Sequence, residues 1–201
     1  MARRRLAVLL SGRGSNFEAI CDAIGDGRIA NAEIVSVISD VPDAPGLLRA
    51  VERGLPAFPV PRGLRPRREH ERDVLAILDA ARPDLICLAG YMRLLSPGFI
   101  GRYRGRILNI HPALLPKFPG LDVQRRALES GELESGCTVH FVDEGTDTGP
   151  VILQRRVPIL PGDTVATLSA RILAEEHRAY PEAIARVFAG DAVPPPGGVG
   201  F

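Results

Sequence analysis

The sequence predicts one α/β domain built on a mixed, mostly parallel sheet of seven strands, with helices on both faces. Three observations predict it. Short, continuously apolar runs alternate with helix-period stripes from the first residues onward, the pattern of repeated βα units with buried strands. Late in the chain two strand-like runs are joined by a loop too short for a crossover helix, so that pair runs antiparallel. A length of 201 residues, 45% hydrophobic and 24% charged, suits one domain with a sizeable core.

Residues 5–11 form the first strand, apolar throughout. Beyond Gly12-Arg13-Gly14-Ser15-Asn16, the positions Phe17, Ile20, Cys21 and Ile24 fall at i, i+3, i+4 and i+7, one face of a helix that ends over 25–27. A second strand covers 33–39, a short helix 45–53 and a short third strand 57–60, before a loop at 61–66. Val74, Ile77, Leu78 and Ala81 stripe the next helix, which Pro83 stops. The fourth and fifth strands span 84–89 and 107–110. The antiparallel pair is 137–142 with 151–157. Residues 164–188 are mostly helix, with Pro181 expected to kink or divide it. The domain is expected over 1–190, and a Pro/Gly-rich tail over 191–201.

Several function classes are disfavoured at once. A net charge of +1 recommends neither nucleic acid nor an anionic membrane as partner. No apolar run reaches the ~18 residues of a membrane span. The basic start imitates a signal peptide, but a glycine-rich turn follows where a small-residue cleavage site belongs. Cys21, Cys87 and Cys137 are odd in number and far apart, which argues against a disulfide framework or a zinc site. The cytoplasm is the expected compartment. Lysine and asparagine are scarce: Lys117 is the lone lysine, and Asn16, Asn31 and Asn109 are the only asparagines.

Four places could carry chemistry. The loop from Ser11 to Asn16 lies between a strand and a helix, where backbone N–H groups and the helix dipole suit a phosphate. Phe17 stands where a dinucleotide fingerprint needs its third glycine, and a plain turn capped by Ser15 or Asn16 is the alternative. Asn109 and His111, two apart on a strand, point to one side. The first offers a donor for a developing oxyanion and the second an acid or base, although a structural pair would look the same. Asp147, in a carboxylate-rich hairpin loop, would orient His111 and raise its pKa if the two meet; a solvated turn is the alternative. Glu176 continues the apolar stripe of Leu168 and Ile172, so its charge needs a partner, either an arginine or ligand hydroxyls.

Taken in order, these pieces closely resemble the phosphoribosylglycinamide formyltransferase family. The resemblance is carried by Ser11–Asn16, by Leu88-Ala89-Gly90-Tyr91-Met92-Arg93-Leu94-Leu95-Ser96-Pro97, and by the run from Leu108 to Gly120 with its Asn-Ile-His-Pro. Thr138-Val139-His140-Phe141-Val142, the Asp-Thr-Gly-Pro at 147–150 and Glu176-His177 complete it, from about residue 5 to 190. The resemblance implies a Rossmann-like amino-terminal half. It also implies formyl transfer from 10-formyltetrahydrofolate to the amine of glycinamide ribonucleotide, in purine synthesis.

By motif, it would give Gly14, Ser15 and Asn16 to the substrate phosphate and Glu176 to the ribose hydroxyls. Arg67, Met92, Arg93, Leu94 and Leu95, together with Asn109, would meet the folate, although Arg65 and Arg68 crowd beside Arg67. Asn109, His111 and Asp147 would be catalytic: Asn109 and a protonated His111 donate to the oxyanion, and Asp147 holds His111 and receives the amine's proton. Neither a metal nor a covalent enzyme intermediate is implied. The family's substrate loop near 111–125 is mobile, which leaves the role of Lys117 open; Arg13 either adds phosphate affinity or faces solvent. Partners are expected to be these small molecules, and a homodimer stays open. The rivals are a formyltetrahydrofolate hydrolase, which looks similar but carries an extra amino-terminal domain for which no room is expected ahead of Leu6, and a non-catalytic phosphometabolite- or folate-binding module. Methionyl-tRNA formyltransferase, also similar, carries a carboxyl-terminal RNA-binding domain that the sequence is not expected to hold.

Overall fold

A computed structural model describes residues 2–192. The tail expected over 191–201 lies, from residue 193 on, outside the described residues. The elements in chain order are β1 (Arg4–Leu10), α1 (Ser15–Gly25), β2 (Ala32–Ser39), α2 (Pro45–Glu52), β3 (Ala57–Pro59), α3 (Arg67–Ala81) and β4 (Leu85–Leu88). Then come α4 (Pro97–Arg102), β5 (Ile107–His111), α5 (Val123–Glu129), β6 (Glu134–Phe141), β7 (Val151–Pro158) and α6 (Val165–Ala189).

The seven strands form one sheet in the order β3-β2-β1-β4-β5-β6-β7. The pairs from β3 to β5 are parallel, while β5–β6 and β6–β7 are antiparallel. Alternate residues of β1 part to the two faces. Leu6, Val8 and Leu10 join a core with Phe17 and Ile20 of α1 and with Ile172, Tyr180 and Ile184 of α6. Ala7 and Leu9 join a second core with Val74 and Leu78 of α3 and with Phe99 and Ile100 of α4. Helices therefore cover both faces, as the sequence predicts. Because β1 has β2 on one side and β4 on the other, a crevice opens beyond their carboxyl ends, where open α/β sheets take ligands.

The structure differs from the expected elements at three places. Helices α4 and α5 have only six and seven residues, too few to show a helical stripe. The first is set by Pro97 and by the Ser96 hydroxyl, which accepts from the Phe99 N–H at 3.2 Å. Strand β6 begins at Glu134, earlier than its apolar run. Helix α6 runs unbroken through Pro181 for 25 residues. Its apolar face buries Leu168, Ile172, Tyr180 and Ile184, each aliphatic worth about 1.5–3 kcal/mol, which outweighs the roughly 3 kcal/mol of an interior proline. Thr164 and Thr167 close a capping box at its start.

Candidate active site

The glycine loop turns from β1 into α1 with Gly14 at the N-cap, in the left-handed region at φ 77°. A Cβ there would stand 2.6 Å from the Cα of Gly46, so the position requires glycine on two counts. No side chain caps the helix, so neither Ser15 nor Asn16 plays the capping role that was the alternative. The first-turn N–H groups of α1 are thus free of a capping side chain, as anion binding needs. Arg13 is exposed.

Asn16 is buried and donates from Nδ2 to Glu176 Oε2 at 2.8 Å, joining two residues expected at one substrate. Its Oδ1 is buried with no hydrogen-bond partner, an acceptor that a ligand donor would satisfy. Burial pushes the Glu176 carboxyl above its ordinary value, and the bond from Asn16 only partly offsets that. Helix α6 is pinned over the sheet by Tyr180, whose hydroxyl lies 3.0 Å from the carbonyl oxygens of both Leu88 and Leu108. One turn earlier on the same face, Glu176 reaches the glycine loop.

Asn109 and His111 lie at the carboxyl end of β5, and the loop after β6 brings Asp147 to both. Asn109 Nδ2 stands 3.4 Å from Asp147 Oδ1, and His111 Nδ1 stands 3.3 Å from Asp147 Oδ2. Asp147 Oδ2 also accepts from the Gly120 N–H at 2.9 Å, which ties in the loop that follows β5. His111 Nε2 donates to the Phe118 carbonyl at 2.9 Å. Phe118 and Asp147 both hold the left-handed backbone region, at φ 56° and 55°, so the loops on either side of the cluster carry strain where they meet it.

The electrostatics correct one expectation. Burial outweighs the lifting effects of the Phe118 carbonyl and Asp147, so the His111 pKa falls below its ordinary value near 6.5 rather than rising. A protonated resting imidazole is therefore disfavoured at neutral pH. For Asp147, burial pushes the pKa up, yet His140, the Gly120 N–H and His111 together bring it below the ordinary carboxylate range.

His140 lies in the Thr138–Val142 motif, where nothing in the sequence marks it as functional. The antiparallel register sets it opposite Asn109. Its Nδ1 donates to the Phe141 carbonyl at 2.9 Å, which leaves Nε2 to accept from Asn109 Nδ2 at 3.3 Å. That fixes which way the Asn109 amide faces.

Past the end of β4, the strand that pairs with β5, a cavity of about 370 Å³ is lined by Arg67, Met92, Arg93, Leu94 and Leu95, all expected at the folate, and by Arg62, His70, Glu71 and Tyr91, which are not. Among the crowded arginines, Arg65 is instead paired with Asp73 at 2.6 Å, and Arg68 is not part of the lining. Lys117 pairs with Glu132 at 2.7 Å. Among the described residues no group of three or more His, Cys, Asp or Glu is placed to hold a metal ion, and no helix is long and apolar enough to cross a membrane.

Comparison with known proteins places these motifs in context. Residues 4–184 match the family described as Formyl transferase. The chain is 44% identical to the phosphoribosylglycinamide formyltransferase of Escherichia coli K12, over 88% of this chain and 83% of that protein. It is 53% identical to the trifunctional purine biosynthetic protein adenosine-3 of Drosophila pseudoobscura over 94% of its own residues, yet spans only 14% of that protein's length. In three dimensions it matches the crystal structure of glycinamide ribonucleotide transformylase 1 from Symbiobacterium toebii with a TM-score of 0.89 and 50% identity, over 94% of this chain and 89% of that one.

Proposed function

The chain belongs to the formyl transferase family, within its phosphoribosylglycinamide formyltransferases, and from that membership we propose that it moves the formyl group of 10-formyltetrahydrofolate to the amine of glycinamide ribonucleotide in de novo purine biosynthesis. One observation carries the assignment of roles: Asp147 contacts both Asn109 and His111 at the carboxyl end of β5, on the same sheet whose β1 leads into the uncapped glycine loop and whose β4 leads into the wall of the 370 Å³ cavity. Gly14, Ser15 and Asn16 take the substrate phosphate, and Glu176 takes the ribose hydroxyls.

The cavity suits a flat heteroaromatic ligand with an acidic tail. Met92 and Leu94 leave apolar side chains 65% and 68% exposed on its wall, and Arg62, Arg67 and Arg93 supply cations. Asn109 donates to the formyl oxygen as negative charge gathers there, once its 3.4 Å contact with Asp147 gives way to substrate. A neutral His111 donates to the same oxygen from Nε2–H once substrate takes the place of the Phe118 carbonyl, so no protonated imidazole is needed. Asp147 receives the amine's proton, with His111 Nδ1 beside it, and returns it to the folate nitrogen as the carbon–nitrogen bond there breaks. The partners in this reading are small molecules in the cytoplasm, with neither nucleic acid nor membrane, and it is the same for a monomer or a homodimer.

Ultraviolet absorbance follows the loss of formyl from the folate directly. Deformylation that requires glycinamide ribonucleotide and disappears in His111→Ala supports the reading. Deformylation without the amine assigns a hydrolase instead, and tight binding of both ligands without turnover leaves only a binding module.

A further inference from the structure

We propose that Asp40 is a positioning residue for the folate pocket. Its buried carboxylate holds Arg93 directly and the Met92 backbone through the Ser11 hydroxyl. The inference rests on the reading that the segment from Met92 to Leu95 takes the folate.

Asp40 follows β2, and its side chain is 1% exposed. Oδ2 accepts from Arg93 Nε at 2.6 Å, and Oδ1 accepts from Ser11 Oγ at 2.5 Å. With its own hydrogen donated in the bond to Asp40, the Ser11 hydroxyl accepts from the Met92 N–H at 2.8 Å. The Ser11 N–H in turn donates to the Gly90 carbonyl at 3.1 Å. Strand β2 does not border β4, because β1 lies between them, so Asp40 reaches across the crevice to the loop on its far side.

Both arms end on the pocket wall. Met92 and Leu94 are largely exposed, so packing does little to fix this segment, and Arg93 is itself 40% exposed on its side chain. What restrains an arginine with that freedom is the carboxylate at its Nε. Restraint of this kind lowers the ordering cost of binding, and its loss reads out in affinity rather than in the chemical step. Ser11 is also the first residue of the phosphate loop, so the same carboxylate borders both substrate subsites.

Asp40→Asn keeps an oxygen for Ser11 but no charge for Arg93, and Asp40→Ala removes both arms. Steady-state kinetics should show the formyl-folate KM raised about tenfold in Asp40→Asn and further in Asp40→Ala, with kcat within about threefold of wild type. Ser11→Ala should raise that KM as well, and adding Asp40→Ala to it should cost less than adding it to wild type, because the two share an arm. In the ligand-free protein, hydrogen exchange at the Met92 amide should quicken about tenfold or more in Asp40→Ala and in Ser11→Ala. A formyl-folate KM within about twofold of wild type in both Asp40 variants overturns the proposal, as does a fall in kcat at unchanged KM. If Asp40→Ala fails to fold, Asp40→Asn, of nearly the same shape, is judged by the same KM criterion. A wild-type protein without formyl transfer refutes the functional reading alone. The Met92 exchange then decides, and an unchanged rate overturns the role of Asp40.

Discussion

Gly14 and Gly46 meet backbone to backbone, joining the phosphate loop to the start of α2. The Gly46 N–H donates to the Gly12 carbonyl at 3.0 Å, and a Cβ on Gly46 would stand 2.8 Å from Gly14 Cα and 3.0 Å from Leu10 Cδ2. The nearest obstacle is main chain, which cannot turn aside as a flexible side chain can. Gly46→Ala should therefore push the loop out of place. The expected outcome is a rise of about tenfold or more in KM for glycinamide ribonucleotide, with a loss of about 1–3 kcal/mol in stability. Substrate titrations and thermal melts check both.

Glu176 is a buried carboxylate whose pKa is raised, so folding holds its proton more tightly than the unfolded chain does. Between the ordinary value near 4.5 and the raised one, the folded state binds more protons, and stability falls as pH rises through that window. Glu176→Gln removes this dependence. Its melting temperature relative to wild type should be more favourable at pH 8 than at pH 4, while KM for the phosphoribosyl substrate rises. A difference that is flat with pH would contradict the assignment.

For His111 the sign is opposite to that of a histidine stabilised in its charged form. Burial lowers its pKa, and the neutral imidazole is the form that transfer uses, so activity should hold through pH 7. Its acid limb should have a midpoint below 6.5. A profile of kcat/KM against pH locates that midpoint, and a value at or above 6.5 would contradict a neutral donor.

Asn109→Ala should lower kcat by about 10²–10³, the usual cost of one oxyanion donor. Its KM values and melting temperature should change little, since the site is at a strand end. Single-turnover rates separate this from a binding defect.

Asp147→Asn tests the proton relay apart from the fold. Asparagine tolerates the left-handed backbone at φ 55° and still accepts from the Gly120 N–H. The variant should keep its thermal stability while losing about 10²–10⁴ in kcat. Circular dichroism melts and the absorbance assay measure the two sides.

How much of this was legible in the sequence follows from the range of each cause. The pairing of Asn109 with His111 is local, two residues apart on a strand, and could be read directly. Glu176 stood out because it interrupts an apolar stripe. His140 and Asp40 did not, since their roles come from strand register and from a reach across β1, neither of which leaves a periodic mark. His70 and Glu71 carry no mark because the stripe of α3 begins only at Val74, whereas the helix begins at Arg67, and Arg62 lies in the loop ahead of that helix, where no periodicity marks a residue. The pKa of His111 runs against the sequence expectation because a sequence shows the carboxylate of Asp147, which does lift it, but not the burial that outweighs that lift.

The contact between Asn16 and Glu176 spans 160 positions of the chain. Half of this subsite lies where the loop after β1 enters α1, and the other half sits on α6. A nascent chain released before α6 would hold the glycine loop and β5 yet lack the carboxylate that completes the subsite. Binding of the phosphoribosyl substrate thus reports that α6 has been made and has folded onto the sheet. It also stabilises only the finished state, since a ligand that favours the native form alone deepens that form's free energy.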